Sequence, residues 1–159
     1  SGYALGIAVA KNGDCWLTTE NSAFTAAGMT YWPGCNGSGE LVTGFKNASY
    51  GGLSIDKQGH VVSSDFEGGT TGQLWIYSGC NPACTVVGGP FSLEGQPFFG
   101  ALNAKGDTFG TMESEFPYAG TIDIYKYSPT KLTYEYSFDS SFAPVSSPEG
   151  FAYSPALDQ

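Results

Sequence analysis

Three times along the 159-residue chain a glycine-led apolar stretch runs into a tight turn at a second glycine and out again into another apolar stretch. The first copy is Gly6-Ile7-Ala8-Val9-Ala10-Lys11-Asn12-Gly13-Asp14-Cys15-Trp16-Leu17-Thr18. The second is Gly52-Leu53-Ser54-Ile55-Asp56-Lys57-Gln58-Gly59-His60-Val61-Val62-Ser63-Ser64, and the third is Gly100-Ala101-Leu102-Asn103-Ala104-Lys105-Gly106-Asp107-Thr108-Phe109-Gly110-Thr111. A spacing of roughly 45 to 50 residues constrains the architecture before any single motif does, because each unit is then one supersecondary element stacked on its neighbours. Each copy reads as strand, glycine turn, strand.

The second half of each unit repeats too. Met29-Thr30-Tyr31-Trp32-Pro33-Gly34-Cys35-Asn36 matches Leu74-Trp75-Ile76-Tyr77-Ser78-Gly79-Cys80-Asn81, and Ile122-Asp123-Ile124-Tyr125-Lys126-Tyr127-Ser128 follows the same pattern. A closing strand is expected at 40–45, at 85–87 extending toward 93, and at 133–138, the last with Tyr134, Tyr136 and Phe138 alternating onto one face. With 23 glycines, nine prolines and 13% charged residues, long helices are excluded and turns must be frequent. Four antiparallel strands per unit predict an all-β chain of β-propeller type, with blades at about 3–47, 48–95 and 96–143 and a partial blade at 144–159. A β-sandwich is the alternative. The opening phrase of each unit resembles the NHL and SMP-30 (gluconolactonase-like) propellers, whose glycine-led inner strand turns at a glycine followed by a polar residue.

Pro148-Glu149-Gly150-Phe151-Ala152-Tyr153-Ser154 reads as the inner strand of a fourth blade. Propellers close with about four to eight blades, so three blades and one strand leave the ring open. Raw edges and uncovered faces promote association. The expectation is therefore either a longer chain that continues the ring, a self-assembling unit that completes it, or a structural repeat that polymerises edge to edge.

Charge narrows the partners. Fifteen acidic residues face six basic ones, all lysine, for a formal charge of −9. Nucleic-acid backbones are gripped by clustered Lys and Arg, so nucleic acid is excluded as a partner, and an anionic membrane surface is disfavoured on the same ground. No apolar run approaches the roughly 20 residues of a membrane-spanning helix. Carbohydrates, protein surfaces and cations are compatible with this field.

Cys15, Cys35, Cys80 and Cys84 make an even set, read as two disulfides in an extracellular, periplasmic or cell-surface setting; metal ligation is the rival. The start of the second strand and the end of the third lie side by side in a meander blade, which pairs Cys15 with Cys35. Cys80 then pairs with Cys84 through Asn81-Pro82-Ala83.

Acids cluster at one end of the units: Glu20 after the first second-strand, Asp65 and Glu67 after the next, Glu113 and Glu115 after the third, with Glu149 opening the fourth copy. Carboxylates converging at a channel mouth suit a hard cation such as Ca²⁺ or hydrogen bonds from sugar hydroxyls; the alternative is solvated loop acids. The SMP-30 resemblance implies a metal held at that mouth and lactonase chemistry, and Pro148-Glu149-Gly150 is the segment that matches its Glu-Gly strand opening. His60, the single histidine, lies in a glycine turn and reads as a solvent-exposed turn residue rather than a catalytic base. Trp16, Tyr31, Trp32, Trp75, Tyr77 and Tyr125 recur at matching positions and are expected to pack between blades. Asn36-Gly37-Ser38 and Asn47-Ala48-Ser49 are glycan acceptors if the chain passes a glycosylating secretory pathway. The expected function is non-catalytic, a binding or assembly module, with a metal-dependent hydrolase or lyase as the alternative.

Overall fold

A computed structural model describes residues 2–21, 27–47, 52–65, 71–95, 97–113 and 121–139. These residues form twelve strands and one short 3-10 turn at Pro33–Cys35. The strands are β1 (Gly2–Val9), β2 (Cys15–Asn21), β3 (Ala27–Trp32), β4 (Glu40–Leu41), β5 (Leu53–Ile55) and β6 (Val61–Asp65). They continue with β7 (Gln73–Ser78), β8 (Thr85–Ser92), β9 (Pro97–Leu102), β10 (Thr108–Glu113), β11 (Thr121–Ser128) and β12 (Lys131–Asp139). They assemble into three four-stranded sheets, each ordered as its strands occur in sequence and each antiparallel throughout. The described residues are all-β, and each of the three full repeats read from the sequence becomes one meander sheet; the partial blade expected at 144–159 lies outside the described residues.

Sheet 2 (β5 to β8) lies between the other two, and strand alternation explains its composition. Val61 and Tyr77, cross-strand partners, pack into a core with Ala8, Trp16, Met29 and Tyr31 of sheet 1. The next pair, Val62 and Ile76, faces the other way, into a core with Phe109, Tyr125 and Tyr127 of sheet 3. A strand covered on both faces has no solvent side, so β6 is buried at every position and reads as a run rather than an alternation.

Across the sheet boundaries the opening strands adjoin: β1 lies against β5, and β9 lies against β5 and β6. Gly52, which leads β5, is glycine for a steric reason, since a Cβ there would stand 2.8 Å from the backbone nitrogen of Gly100. At the rim the sheets are tied differently. The Thr43 N–H donates to the Pro82 carbonyl and the Cys84 N–H donates to the Thr43 carbonyl, joining sheet 1 to sheet 2. The Trp16 indole N–H donates to the Cys80 carbonyl at 2.6 Å, a second tie across the same boundary.

Two strand expectations change. The closing strand expected at 40–45 is only Glu40–Leu41, because Gly44 turns with φ of 79° and a side chain there would collide with the Cys84 carbonyl. The backbone is diverted into the inter-sheet tie instead of continuing the ladder. In β12, Tyr125 faces Tyr134 while Ile124 faces Tyr136, so Glu135 is the extra residue of a bulge. Neighbouring residues of β11 point to opposite faces, so Tyr134 turns toward sheet 2, with Tyr125, while Tyr136 and Phe138 stay on the outside. The Tyr134 and Ser137 hydroxyls meet at 2.6 Å on that inner side.

Candidate functional site

The first hairpin of each sheet turns at the same end of the molecule, and the three turns wall a cavity of about 730 Å³. Val9, Trp16, Ile55 and Leu102 give it an apolar floor; Lys11, Asn12 and Asp14 come from the first turn, Asp56, Lys57 and Gln58 from the second, and Asn103 from the third. Asp56 and Asn103 hold their own turns, and Asp14 ties the first turn to the 3-10 turn and to β3. Asp56 Oδ1 accepts from the Gln58 and His60 backbone N–H groups, both at 2.9 Å. Asn103 Oδ1 accepts from the Asp107 and Thr108 N–H groups at 3.0 and 3.2 Å. Asp14 Oδ1 accepts from the Gly34 N–H at 2.8 Å, while its Oδ2 takes the Asn12 amide at 2.8 Å and the Tyr31 hydroxyl at 3.0 Å. The Gly34 bond leads in holding the Asp14 carboxyl below its ordinary value, with Asn12 and Tyr31 adding to it.

Asp56 also reaches across a sheet boundary. Its Oδ2 lies 2.8 Å from His60 Nδ1 and accepts from the Tyr127 hydroxyl of sheet 3 at 3.1 Å. His60 is thus half-buried and engaged, where the sequence predicts a solvent-exposed turn residue; the buried Asp56 carboxylate draws it in. Burial first, then the charge and hydrogen bond of Asp56, push the Tyr127 phenol far above its ordinary value.

At the opposite end of the second strands stand the acids. Glu20 and Asp65 are both buried rather than open to a channel mouth. Alternation decides this: Trp16, Thr18 and Glu20 share the face of β2 that packs on sheet 2, and Val61, Ser63 and Asp65 share the face of β6 that packs on sheet 1. Glu113 ends β10, and nothing is described of its side chain. Glu67, Glu115 and Glu149 lie outside the described residues. Among the described residues no three Asp, Glu, His or Cys side chains gather into a metal-binding group.

Both expected disulfides form. Cys15 opens β2 and Cys35 closes the 3-10 turn after β3, with Cα atoms 5.0 Å apart, and Cys80 joins Cys84. No cysteine is left free. The two glycan candidates separate sharply. Asn36 is exposed in the turn beyond Cys35. Asn47 is buried: its Nδ2 donates to Ser63 Oγ and to the Ser64 carbonyl, both at 2.9 Å, and its Oδ1 accepts from the Tyr77 hydroxyl at 2.8 Å. A glycan on that nitrogen and this packing exclude one another. The sequence carried no signal for this, since an Asn in a linker gives no sign of its tertiary partners.

The aromatic residues pack largely as expected. Trp16 and Tyr31 lie 5.4 Å apart between sheets 1 and 2, and Phe109 and Tyr125 are 6.5 Å apart between sheets 2 and 3. Trp32 differs: it lines an outer groove with Ile7, Val9 and Leu17. Sequence reasoning missed Asp123, buried opposite Thr111 and accepting the Ser137 hydroxyl, because a lone acid between two isoleucines looks like strand polarity rather than a hydrogen-bonded core group. Among the described residues no helix is long and apolar enough to cross a membrane. No protein-family model matches the chain, and no curated protein matches it.

Proposed function

We propose that this chain is a β-propeller segment of the NHL and SMP-30-like kind, three blades with β1, β5 and β9 nearest the axis, acting as a secreted or cell-surface binding or assembly module and not as a catalyst. The observation that carries the reading is the adjacency of the three opening strands, each at the edge of its own meander sheet. Sheets radiating from an axis meet at their first strands, whereas stacked sheets face each other across their full width. Two disulfides with no free thiol support an oxidising compartment.

The turn-end cavity supports recognition over acid–base work. Asp14, Asp56 and Asn103 are occupied by structural hydrogen bonds, which leaves an apolar floor rimmed by the exposed Lys11 and Lys57. A carbohydrate or a protein surface is the class of ligand suited to it. Lactone and ester hydrolysis, measured with and without added calcium, tests the reading: no turnover above buffer is expected. Calcium-dependent turnover abolished by Glu149→Gln would replace it with a metal-dependent hydrolase or lyase. An experimental structure with the three sheets in parallel layers would overturn the architectural half.

A further inference from the structure

Three of the chain's six lysines stand in the three first-hairpin turns: Lys11, Lys57 and Lys105, one to a turn. Each turn also carries one aspartate, Asp14, Asp56 or Asp107. Folding treats the two charges differently. Asp14 accepts from Gly34, Asn12 and Tyr31, and Asp56 serves the Gln58 and His60 N–H groups, the His60 ring and the Tyr127 hydroxyl. Asp107 Oδ1 takes the Asn103 amide at 2.7 Å, and that bond leads in holding its carboxyl low, with Thr108 and Lys105 adding to it.

The other two turn lysines are not tied in this way. Among the described residues neither Lys11 nor Lys57 has a carboxylate within ion-pair reach, and both line the turn-end cavity as exposed side chains. A Cβ on Gly106 would stand 3.3 Å from Lys57 Cγ, so the Lys57 stem leans from the second turn onto the third.

The cavity is therefore rich in donors and short of acceptors. An ammonium offers three N–H donors and no acceptor. Sugar hydroxyls need acceptors as well as donors, but Asp14, Asp56 and Asn103 Oδ1 already accept from protein groups. Gln58 and Asn81, both exposed at the rim, carry neutral amides that favour neither charge. A ligand that fits brings its own acceptors, together with an apolar part for the floor of Val9, Trp16, Ile55 and Leu102. The formal charge of −9 does not forbid an acid there. Exposed charges beyond a Debye length, about 8 Å at physiological salt, are largely screened, whereas Lys11 and Lys57 act at contact.

We propose that the turn-end cavity takes an acidic segment of a partner protein, with a carboxylate side chain held by Lys11 and Lys57 and an apolar neighbour on the floor. The inference rests on the recognition reading above and narrows its ligand from a carbohydrate or a protein surface to an acidic protein surface.

Calorimetry with a synthetic peptide that alternates glutamate and leucine, set against its glutamine-for-glutamate counterpart, tests it. The glutamate peptide is expected to bind, and the glutamine peptide to bind at least about tenfold more weakly. Added salt weakens the glutamate peptide. Lys11→Gln combined with Lys57→Gln costs about tenfold, while Lys131→Gln, at the exposed start of β12, changes nothing. All three side chains are exposed, and circular dichroism checks that each variant keeps its fold. Isotope-labelled methylation of the lysines, which keeps their charge, gives a second readout: the Lys11 and Lys57 resonances shift on titration and that of Lys131 does not. Equal binding of the two peptides overturns the proposal in favour of the apolar floor alone. Unchanged affinity in the Lys11 and Lys57 variant overturns it by moving the site elsewhere. Inorganic phosphate that displaces the peptide at equal concentration overturns it in favour of a phosphate ligand. A neutral oligosaccharide that binds where the glutamate peptide does not overturns it in favour of carbohydrate and leaves the recognition reading standing. No binding of the glutamate peptide up to about 1 mM also overturns it. The recognition reading itself falls separately, on lactone or ester turnover.

Discussion

Replacing Asn47 with alanine removes one side chain from the linker between sheets 1 and 2, yet it strips three buried groups of a partner at once. Ser63 Oγ and the Ser64 carbonyl lose the amide that donates to them, and the Tyr77 hydroxyl loses its acceptor, keeping only the bond it receives from the Lys46 N–H at 3.1 Å. A typical hydrogen bond contributes a net of about 1 kcal/mol, and a buried group left unsatisfied costs about 1–3, so the three together amount to about 3 kcal/mol. For a chain of this size that corresponds to a fall in melting temperature of about 6 to 12 °C. Thermal unfolding followed by circular dichroism measures it, with Asn36→Ala as the exposed control, expected within about 0.5 kcal/mol of the parent. Asn47→Asp sharpens the test, because it keeps the acceptor for Tyr77 but loses both donors and sets a charge beside the Ser64 carbonyl. Burial raises the folded pKa of that carboxyl above its unfolded value, so its cost grows as pH rises through about 4 and stays in force above. Asn47→Ala melting within about 2 °C of the parent would refute the claim that this buried amide ties the linker to sheet 2.

Trp16→Phe keeps the ring between sheets 1 and 2 but deletes the N–H that reaches the Cys80 carbonyl; a loss of about 1–3 kcal/mol in urea unfolding is expected, and an unchanged midpoint would count against the tie. Removing the Cys15–Cys35 bond by double serine substitution, which frees a separation of 20 residues, should lower stability by about 3 kcal/mol, checked in the same urea assay; no loss would mean that the bond constrains nothing in the unfolded chain. Alkaline titration followed by ultraviolet absorbance should leave at least Tyr77 and Tyr127 un-ionised until the chain unfolds. Burial raises both phenols, and Asp56 raises Tyr127 further, so the stability that they contribute is present at neutral pH and lost as pH climbs toward their folded values. All ten tyrosines titrating together at the ordinary phenol value in folded protein would contradict that burial.

The repeat is legible because strand and turn chemistry are local. Gly6, Gly52 and Gly100 lead their units, and the glycines at 13, 59 and 106 turn with positive φ, so each hairpin is written into its own dozen or so residues. The Cys15–Cys35 pairing follows from the same reasoning, since meander order alone brings those two points together. The acids were harder. Glu20 and Asp65 occupy the strand ends that the spacing predicts, but which face each carboxylate turns to depends on a parity that a single residue of shift reverses. The bulge at Glu135 is such a shift, and it separates Tyr134 from Tyr136 although the sequence alternates them cleanly.

Sequence alone determined the meander order of the described strands and their division into three full units, because hydrogen-bond ladders and glycine turns are set by residues close in the chain. Only the tertiary structure decided what Asn47, Asp56 and Gly44 do. Their partners, Ser63 and Tyr77 for the first, Tyr127 for the second and the Cys84 carbonyl for the third, come from other units or across a sheet boundary. No local pattern encodes a contact whose two halves meet only after the sheets have packed.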